Sequence, residues 1–394
     1  MTITTHVHQS GPDIVRSVAD VVRAEAGASE QARTMTPAIV SAMWDSGLMG
    51  FMNPIEAGGT EPSFAEMLAT WIEMALLDGS FGWIGIANLP SAAAAAAYMP
   101  DVGFAEVFTA HDNRVTLGGQ FFPNGTANTV DGGFQLTGAW NFGSGTGHSE
   151  YVAAGFMPMV DGDLVWVSEG VPELRVAILP REDVTFTDGW HVQGLKGTGS
   201  YDYNVADVFV PEHRTFPLFT RTPLRGKAPA FHMGLMPITA AGHAGWALGV
   251  AKSMLDDVEE LAASKVRMGD PAPLANKATF QLGLAHHVAM WRAARLLVEH
   301  TFTEVEDAVA SGRELSPHMR ADMRVSAVYA TNCSREVAQW SHLAAGTTAI
   351  REGSRLERAF RDLYTGTQHA FIGEKVATDA AQVWLGLETD PIGL

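Results

Sequence analysis

Twice along this chain the apolar residues change their spacing, from a helical period to a strand-like one and back. From about Pro12 to about Ala110 they recur at helical intervals. Thr36-Pro37 predicts a helix start, a capping hydroxyl followed by proline at the first helical position. Ile39, Val40, Met43, Trp44 and Leu48 follow, with Gly47 near the end. Asn53-Pro54 and Gly58-Gly59 predict a loop, residues 63–77 a second helix, and an alanine-rich segment a third. Between about Asn113 and Phe219, short β-branched and aromatic runs alternate with Gly, Asp, Asn and Pro. Residues 151–156, 164–167, 174–179 and 203–210 read as strands, and Val130-Asp131-Gly132-Gly133 as a hairpin turn. From Pro237 the helical period returns over residues 239–264, 274–310 and 316–345, with a last pair over 355–385. Phe280, Leu284, Val288, Trp291 and Leu297 form one apolar stripe. Helices, then a β domain, then a four-helix bundle is a restrictive order for one chain.

Composition removes some functions. With 44 acidic against 26 basic residues, the net charge of −18 repels phosphate backbones and anionic lipid, so we expect neither nucleic-acid nor membrane partners. The single cysteine, Cys333, allows no internal disulfide or cysteine metal site, fits a reducing cytosol, and reads as a small core residue. Residues 1–11 lack the basic-then-apolar order of a leader, and residues 89–99 are too short for a membrane span, so the expected location is cytoplasmic.

Three blocks carry a resemblance. Trp190-His191-Val192-Gln193-Gly194-Leu195-Lys196-Gly197-Thr198-Gly199-Ser200, followed by Val208-Phe209-Val210-Pro211, resembles the β-domain motif of the acyl-CoA dehydrogenase superfamily. So does Gly133-Phe134-Gln135-Leu136-Thr137-Gly138 leading into Trp140-Asn141-Phe142-Gly143-Ser144-Gly145. Arg355 to Asp362 resembles the superfamily's last block. The resemblance spans nearly the whole chain. It implies an α+β, acyl-CoA dehydrogenase-like fold: an N-terminal helical domain (1–112), a central β-barrel-like domain (113–225) and a C-terminal four-helix bundle (226–394).

Details divide two branches. The dehydrogenases carry a Glu-Pro pair where this chain has Gly119 to Gly125, and many place a catalytic glutamate nine positions after the arginine of the Arg-Asp pair, here Ala370. The run Arg361 to His369, and Phe142-Gly143-Ser144-Gly145-Thr146-Gly147-His148, instead resemble the two-component flavin monooxygenases. That resemblance implies reduced FMN or FAD from a separate flavin reductase, O₂, a small apolar or aromatic substrate, and a homotetramer. Phenol hydroxylases of that branch have a histidine eight positions after a tryptophan. Here Trp83 plus eight is Ser91, which counts against a phenol and leaves oxygen chemistry standing. An acyl-CoA dehydrogenase is the alternative reading, and a non-catalytic flavin-binding protein a distant third.

Reduced flavin serves an oxygenase only in a dry site with a hydrogen-bonding group at its N5 side. By resemblance Ser144 makes that contact, and Phe142 stands where the dehydrogenases stack a tryptophan on the flavin. His369 is the expected acid–base group, since histidine titrates near neutrality, and His148 a second catalytic candidate. Gly197, Thr198 and Ser200 are expected to border the flavin. Arg267 resembles an arginine that reaches a flavin phosphate across a subunit interface, a task suited to a planar guanidinium. The substrate pocket is expected beside Trp83, Ser91 and His369. Arg358, Arg361 and Asp362 read as a structural ion pair within the bundle.

Overall fold

The structure, a computed structural model, describes residues 9–187, 189–388 and 394. Most of the segment bearing the no-leader expectation lies outside them. Six helices come first: α1 (Gly11–Ser17), α2 (Ala19–Ala32), α3 (Pro37–Asp45), α4 (Phe64–Leu77), α5 (Gly79–Tyr98) and α6 (Asp101–Val107). Pro37 opens α3 as predicted, but the Thr36 hydroxyl makes no cap bond and is buried without a partner. Gly47, at φ +81°, turns the chain out of that helix. Asp78 caps α5 by accepting the Phe81 N–H at 3.0 Å. Almost every residue of α5 is buried, including the run Ala92–Ala97, as befits a helix apolar on all sides.

Ten strands follow: β1 (Leu117–Val130), β2 (Gly133–Gly143), β3 (Tyr151–Val160), β4 (Asp163–Leu164), β5 (Trp166–Ser168), β6 (Val171–Pro172), β7 (Arg175–Pro180), β8 (Thr185–Phe186), β9 (Tyr201–Pro211) and β10 (Thr215–Pro217). The main sheet runs β10-β7-β3-β1-β2-β9-β8, with β4 on β3. β1 and β2 form the predicted hairpin, pairing Val130 with Gly133 around Gly132 at φ +77°. β1 and β3 are parallel, so the β2–β3 segment must cross over, and Ser144 lies on that crossover. Trp140, stacked on Tyr203 at 5.2 Å, anchors the sheet's own apolar core with Leu136 and Phe156.

The bundle comprises α7 (Leu235–Ser264), α8 (Ala278–Ala310), α9 (Pro317–Ala345) and, in the fourth position, two shorter helices, α10 (Arg355–Gly366) and α11 (Glu374–Trp384). Of the α8 stripe, Phe280 and Trp291 are buried but Leu297 is 41% exposed. α4, α5 and α7 share one core through Trp71, Trp83 and Trp246, so helices from both ends of the chain form one body. The expected Arg358–Arg361–Asp362 ion pair is replaced. Arg361 pairs with Glu30 and Glu357, and Arg358 with Glu30 and Asp78. Asp362 accepts the Leu195 N–H at 2.6 Å instead. The arginines thus tie α10 to the N-terminal helices rather than to their own neighbour.

Candidate active site

A cleft opens where α5, the β2–β3 crossover, α7 and the α10–α11 break converge. Trp83, Ser91, Phe142, Ser144 and His369 all line it, so five of the expected residues are brought together.

The β wall carries Ser144. Gly145, at φ +78°, turns the chain just after it, and a Cβ there would lie 2.3 Å from the Asn88 amide. The Gly145 N–H donates to the Thr198 carbonyl at 3.1 Å, and the Gly147 N–H to that of Gly199 at 3.0 Å. These bonds lace the crossover to the glycine-rich loop, and Gly147 and Gly199 permit the close approach. Ser144 Oγ accepts the Trp83 indole N–H at 3.0 Å and lies 3.0 Å from Ser200 Oγ. Ser200 Oγ in turn lies 2.6 Å from Thr198 Oγ1. Phe142 is 63% exposed at the rim, held at φ +60° by its N–H to Asp202 and edge-on to Trp190.

The bundle wall carries His369. Helix α10 stops at Gly366, where a Cβ would meet Trp246 at 2.2 Å, and the chain breaks before α11. His369 caps the turn that follows, its Nδ1 accepting the Phe371 N–H at 3.3 Å. In the neutral ring the proton therefore sits on Nε2. Burial, reinforced by the Arg324 charge, pulls its pKa down to about 4. Against it, 4.4 Å between ring centres, lies His243 of α7. His243 Nδ1 donates to the Thr239 carbonyl at 2.8 Å, leaving Nε2 as a bare acceptor, buried and unpartnered. Burial, then His369 and Arg324, hold His243 far below the ordinary histidine range. Trp83 meets both imidazoles and Trp246 edge-on, joining the two walls.

His243 is missing from the expected set. Its only sequence signal is a lone imidazole four residues after Thr239, on an otherwise Gly/Ala-rich apolar helix.

Five expected residues do not line the cleft: Gly197, Thr198 and Ser200 are buried behind it, and His148 and Arg267 lie away from it. His148 is buried beneath the crossover. The Asn88 amide nitrogen donates to Leu117 O and Ser149 Oγ, so Asn88 Oδ1 must accept from His148 Nε2, at 3.2 Å. His148 Nδ1 then accepts from Thr34 at 3.1 Å. Both nitrogens are committed, and burial lowers the pKa to about 4, so the ring braces the loop that presents Ser144. The Arg267 guanidinium donates to the Ala344 carbonyl at the end of α9 of its own chain.

The donor set suits a flavin: the Ser144 hydroxyl and Gly119 on the β wall, faced by aromatic rings and uncharged imidazoles. No Asp or Glu lines the cleft, so no carboxylate is placed to take the α-proton of an acyl thioester.

Residues 241–374 match the acyl-CoA dehydrogenase, C-terminal domain family. The indole-3-acetate monooxygenase of Acinetobacter baumannii is 28% identical over 375 residues, covering 94% of this chain and 92% of that protein. The FADH(2)-dependent resorcinol hydroxylase, oxygenase component, of a Rhizobium species is 28% identical over 392 residues, covering 95% and 93%. The solved structure of XiaF from Streptomyces, in complex with FADH2 and glycerol, superposes with a TM-score of 0.89 at 24% identity, over 98% of this chain and 97% of that one. Over nearly its whole length the chain is therefore similar to flavin-dependent monooxygenases, and its residues 241–374 match the C-terminal domain of the acyl-CoA dehydrogenases.

Proposed function

We propose that this protein is the oxygenase component of a two-component system. It takes reduced FMN or FAD from a separate reductase and oxygenates a small aromatic or apolar substrate. The observation that carries the reading is the convergence of Ser144 and His369 on opposite walls of one cleft, with Trp83 between them. When bound, reduced flavin supplies the two electrons that reduce O₂, one oxygen going to substrate and the other to water. Ser144 steadies the N5 side of the ring. Phe142 covers its rim, and the Gly197–Ser200 turn borders it. His369 Nε2–H holds a proton at the reacting side and His243 Nε2 offers an acceptor beside it. Trp83, Phe121 and Phe371, with Ser91 at their edge, offer aromatic faces to a small substrate. Arg267 reaches a flavin phosphate in a neighbouring subunit of a cytoplasmic homotetramer. The aromatic substrates in the names of the two relatives above fit such a pocket, and so does a lining without Asp, Glu, Lys or Arg.

The test is isotopic. Protein, reduced FMN or FAD and ¹⁸O₂ are mixed with indole-3-acetate, resorcinol and other small aromatics. One labelled oxygen in a product supports the reading, and His369→Ala should abolish most of it while flavin still binds. Hydrogen peroxide as the sole fate of O₂ with every compound, or bleaching of bound FAD by an acyl-CoA, would overturn it.

A further inference from the structure

Of the side chains that line the cleft, His243 alone has a buried polar atom without a partner among the described residues. The acceptors around it are already engaged. Gln120 Oε1 takes the Phe122 N–H at 3.2 Å, Ser144 Oγ takes the Trp83 indole and Ser200, and His369 Nδ1 takes the Phe371 N–H. His243 Nε2 takes nothing, and the ring is fixed in that state. A carbonyl can only accept, so the 2.8 Å bond to Thr239 O puts the proton on Nδ1 and leaves a lone pair on Nε2. Burial, then the His369 ring and the Arg324 charge, keep the imidazole neutral by holding its pKa well below the ordinary value. The donors nearby are spent elsewhere or miss it. The Trp83 proton goes to Ser144, and the Thr239 hydroxyl proton to the Leu235 carbonyl. His369 lies 4.4 Å away between ring centres, tilted by 40°, and makes no bond to it. Arg324 reaches it through charge alone. A proton for this nitrogen must come from a molecule that enters the cleft.

We propose that His243 is a specificity-determining residue, its Nε2 accepting a hydrogen bond from an N–H or O–H carried by the aromatic ring of the substrate. The inference rests on the proposed function and narrows its substrate from any small aromatic or apolar compound to an aromatic donor. His243 stands edge-on to Trp83 at 5.4 Å and to Phe371 at 6.1 Å, so the acceptor is set among aromatic faces. His369 and Phe371, the rings packed against it, ride on the short break between α10 and α11 rather than on a long helix. A flat ring entering from the cleft parts them and brings its own donor to Nε2. That bond removes the cost of an unpaired buried acceptor. A ring of the same shape without the proton leaves the cost in place, and sites built in this way reject such isosteres.

The experiment measures Kd anaerobically, so that nothing turns over, on protein loaded with reduced FMN or FAD. Indole-3-acetate is paired with benzofuran-3-acetate, which has oxygen in place of the ring N–H, and resorcinol with 1,3-difluorobenzene. Wild type, His243→Leu and His243→Gln are compared. In at least one pair wild type should bind the donor about tenfold tighter than its donor-less partner. His243→Leu should lower that ratio about tenfold. His243→Gln, whose amide oxygen can reach the Nε2 position, should restore most of it. A purely structural His243 would instead weaken both members of a pair alike. An unchanged ratio in His243→Leu overturns the proposal, as does a wild-type ratio near one in both pairs, or binding of none of the four compounds. The ¹⁸O₂ experiment keeps the two readings apart. Labelled product with ratios near one leaves the oxygenase standing and removes His243 as its selector, whereas no labelled product from any compound removes the oxygenase reading itself.

Discussion

The two walls of the cleft are built by opposite rules. On the β wall the buried polar side chains are hydrogen-bonded: Ser144 accepts from the Trp83 indole and from Ser200, Ser200 lies 2.6 Å from Thr198, and Thr198 lies 2.9 Å from the Leu195 carbonyl, with His148 and Asn88 satisfied beneath. On the bundle wall His243 Nε2 is buried with no partner, and behind Phe371 the Nε and Nη1 of Arg324 are in the same state. Buried polar groups without partners are costly and uncommon in native proteins. A saturated wall holds one geometry, as a cofactor seat must. An unsaturated wall has binding capacity in reserve, as a substrate side should. The difference matches the proposed placement of flavin on the β wall and substrate on the bundle wall.

Truncating the bundle wall should therefore separate chemistry from cofactor binding. His369→Ala is expected to lower product formation by about 10²–10⁴, the usual worth of a positioned acid–base group. Affinity for reduced flavin should change by less than about threefold. Product formation and flavin titration on one preparation test this, and a parallel loss of both would merge the walls. Because burial and Arg324 hold His369 down to about 4, its ring stays neutral across the physiological range. Wild-type turnover should not show an inflection from it near pH 6.5. Such an inflection would mean that the bundle wall is wet during turnover.

The β wall should break through its backbone. Gly145→Ala places a Cβ 2.3 Å from Asn88 at a φ of +78°, so strain and overlap add. We expect a loss of about 2–4 kcal/mol by denaturant unfolding, and weaker reduced-flavin binding at temperatures where the variant is folded. Wild-type stability would show that the crossover is loose and the β wall not preset.

How much of this contrast could be read from the sequence depends on how local its causes are. The Gly132 hairpin, Pro37 at a helix start and the switch of period are decided within a few residues, and they appear as expected. Ser144 and His369 were found because family motifs surround them. His243 was missed because a lone histidine on an apolar helix normally reads as core; only the fold lays it against His369. The partners of Arg358 and Arg361 were misjudged for the same reason. Glu30 is more than 300 residues away in the chain, and proximity in sequence favoured Asp362.

Arg324→Met sharpens the comparison from the stability side. Burial lowers the guanidinium pKa to about 10, and the nearest balancing charge, Asp379, is already paired with Lys375. Methionine fills similar space without a charge to desolvate. The variant should gain about 1–3 kcal/mol in chemical denaturation, as replacements of buried charges often do. A marked loss would show that Arg324 is satisfied in solution and that the bundle wall holds no reserve.

The smallest effect expected is at Asp362, where the β wall meets α10. Its Oδ1 accepts the Leu195 N–H, and its Oδ2 is buried with no partner. Burial, and then the nearby Asp78 carboxylate, raise its pKa well above the usual carboxylate range. The unfolded chain titrates this group near 4. Above that pH the unfolded chain gives up the proton while the native state keeps it, so the native state binds more protons. Stability from this group is thus complete below about pH 4 and drains away as pH rises through the folded pKa. Asn cannot titrate, yet its Oδ1 can still accept from the Leu195 N–H. Asp362→Asn should therefore match wild type near pH 4 and become the more stable protein as pH rises, by on the order of 1–2 kcal/mol. Thermal unfolding of both proteins from pH 4 to 9 gives the difference curve. A flat curve would mean that Asp362 is ionised in the native state, and that a charge, rather than a neutral hydrogen-bonding group, anchors the Leu195 peptide.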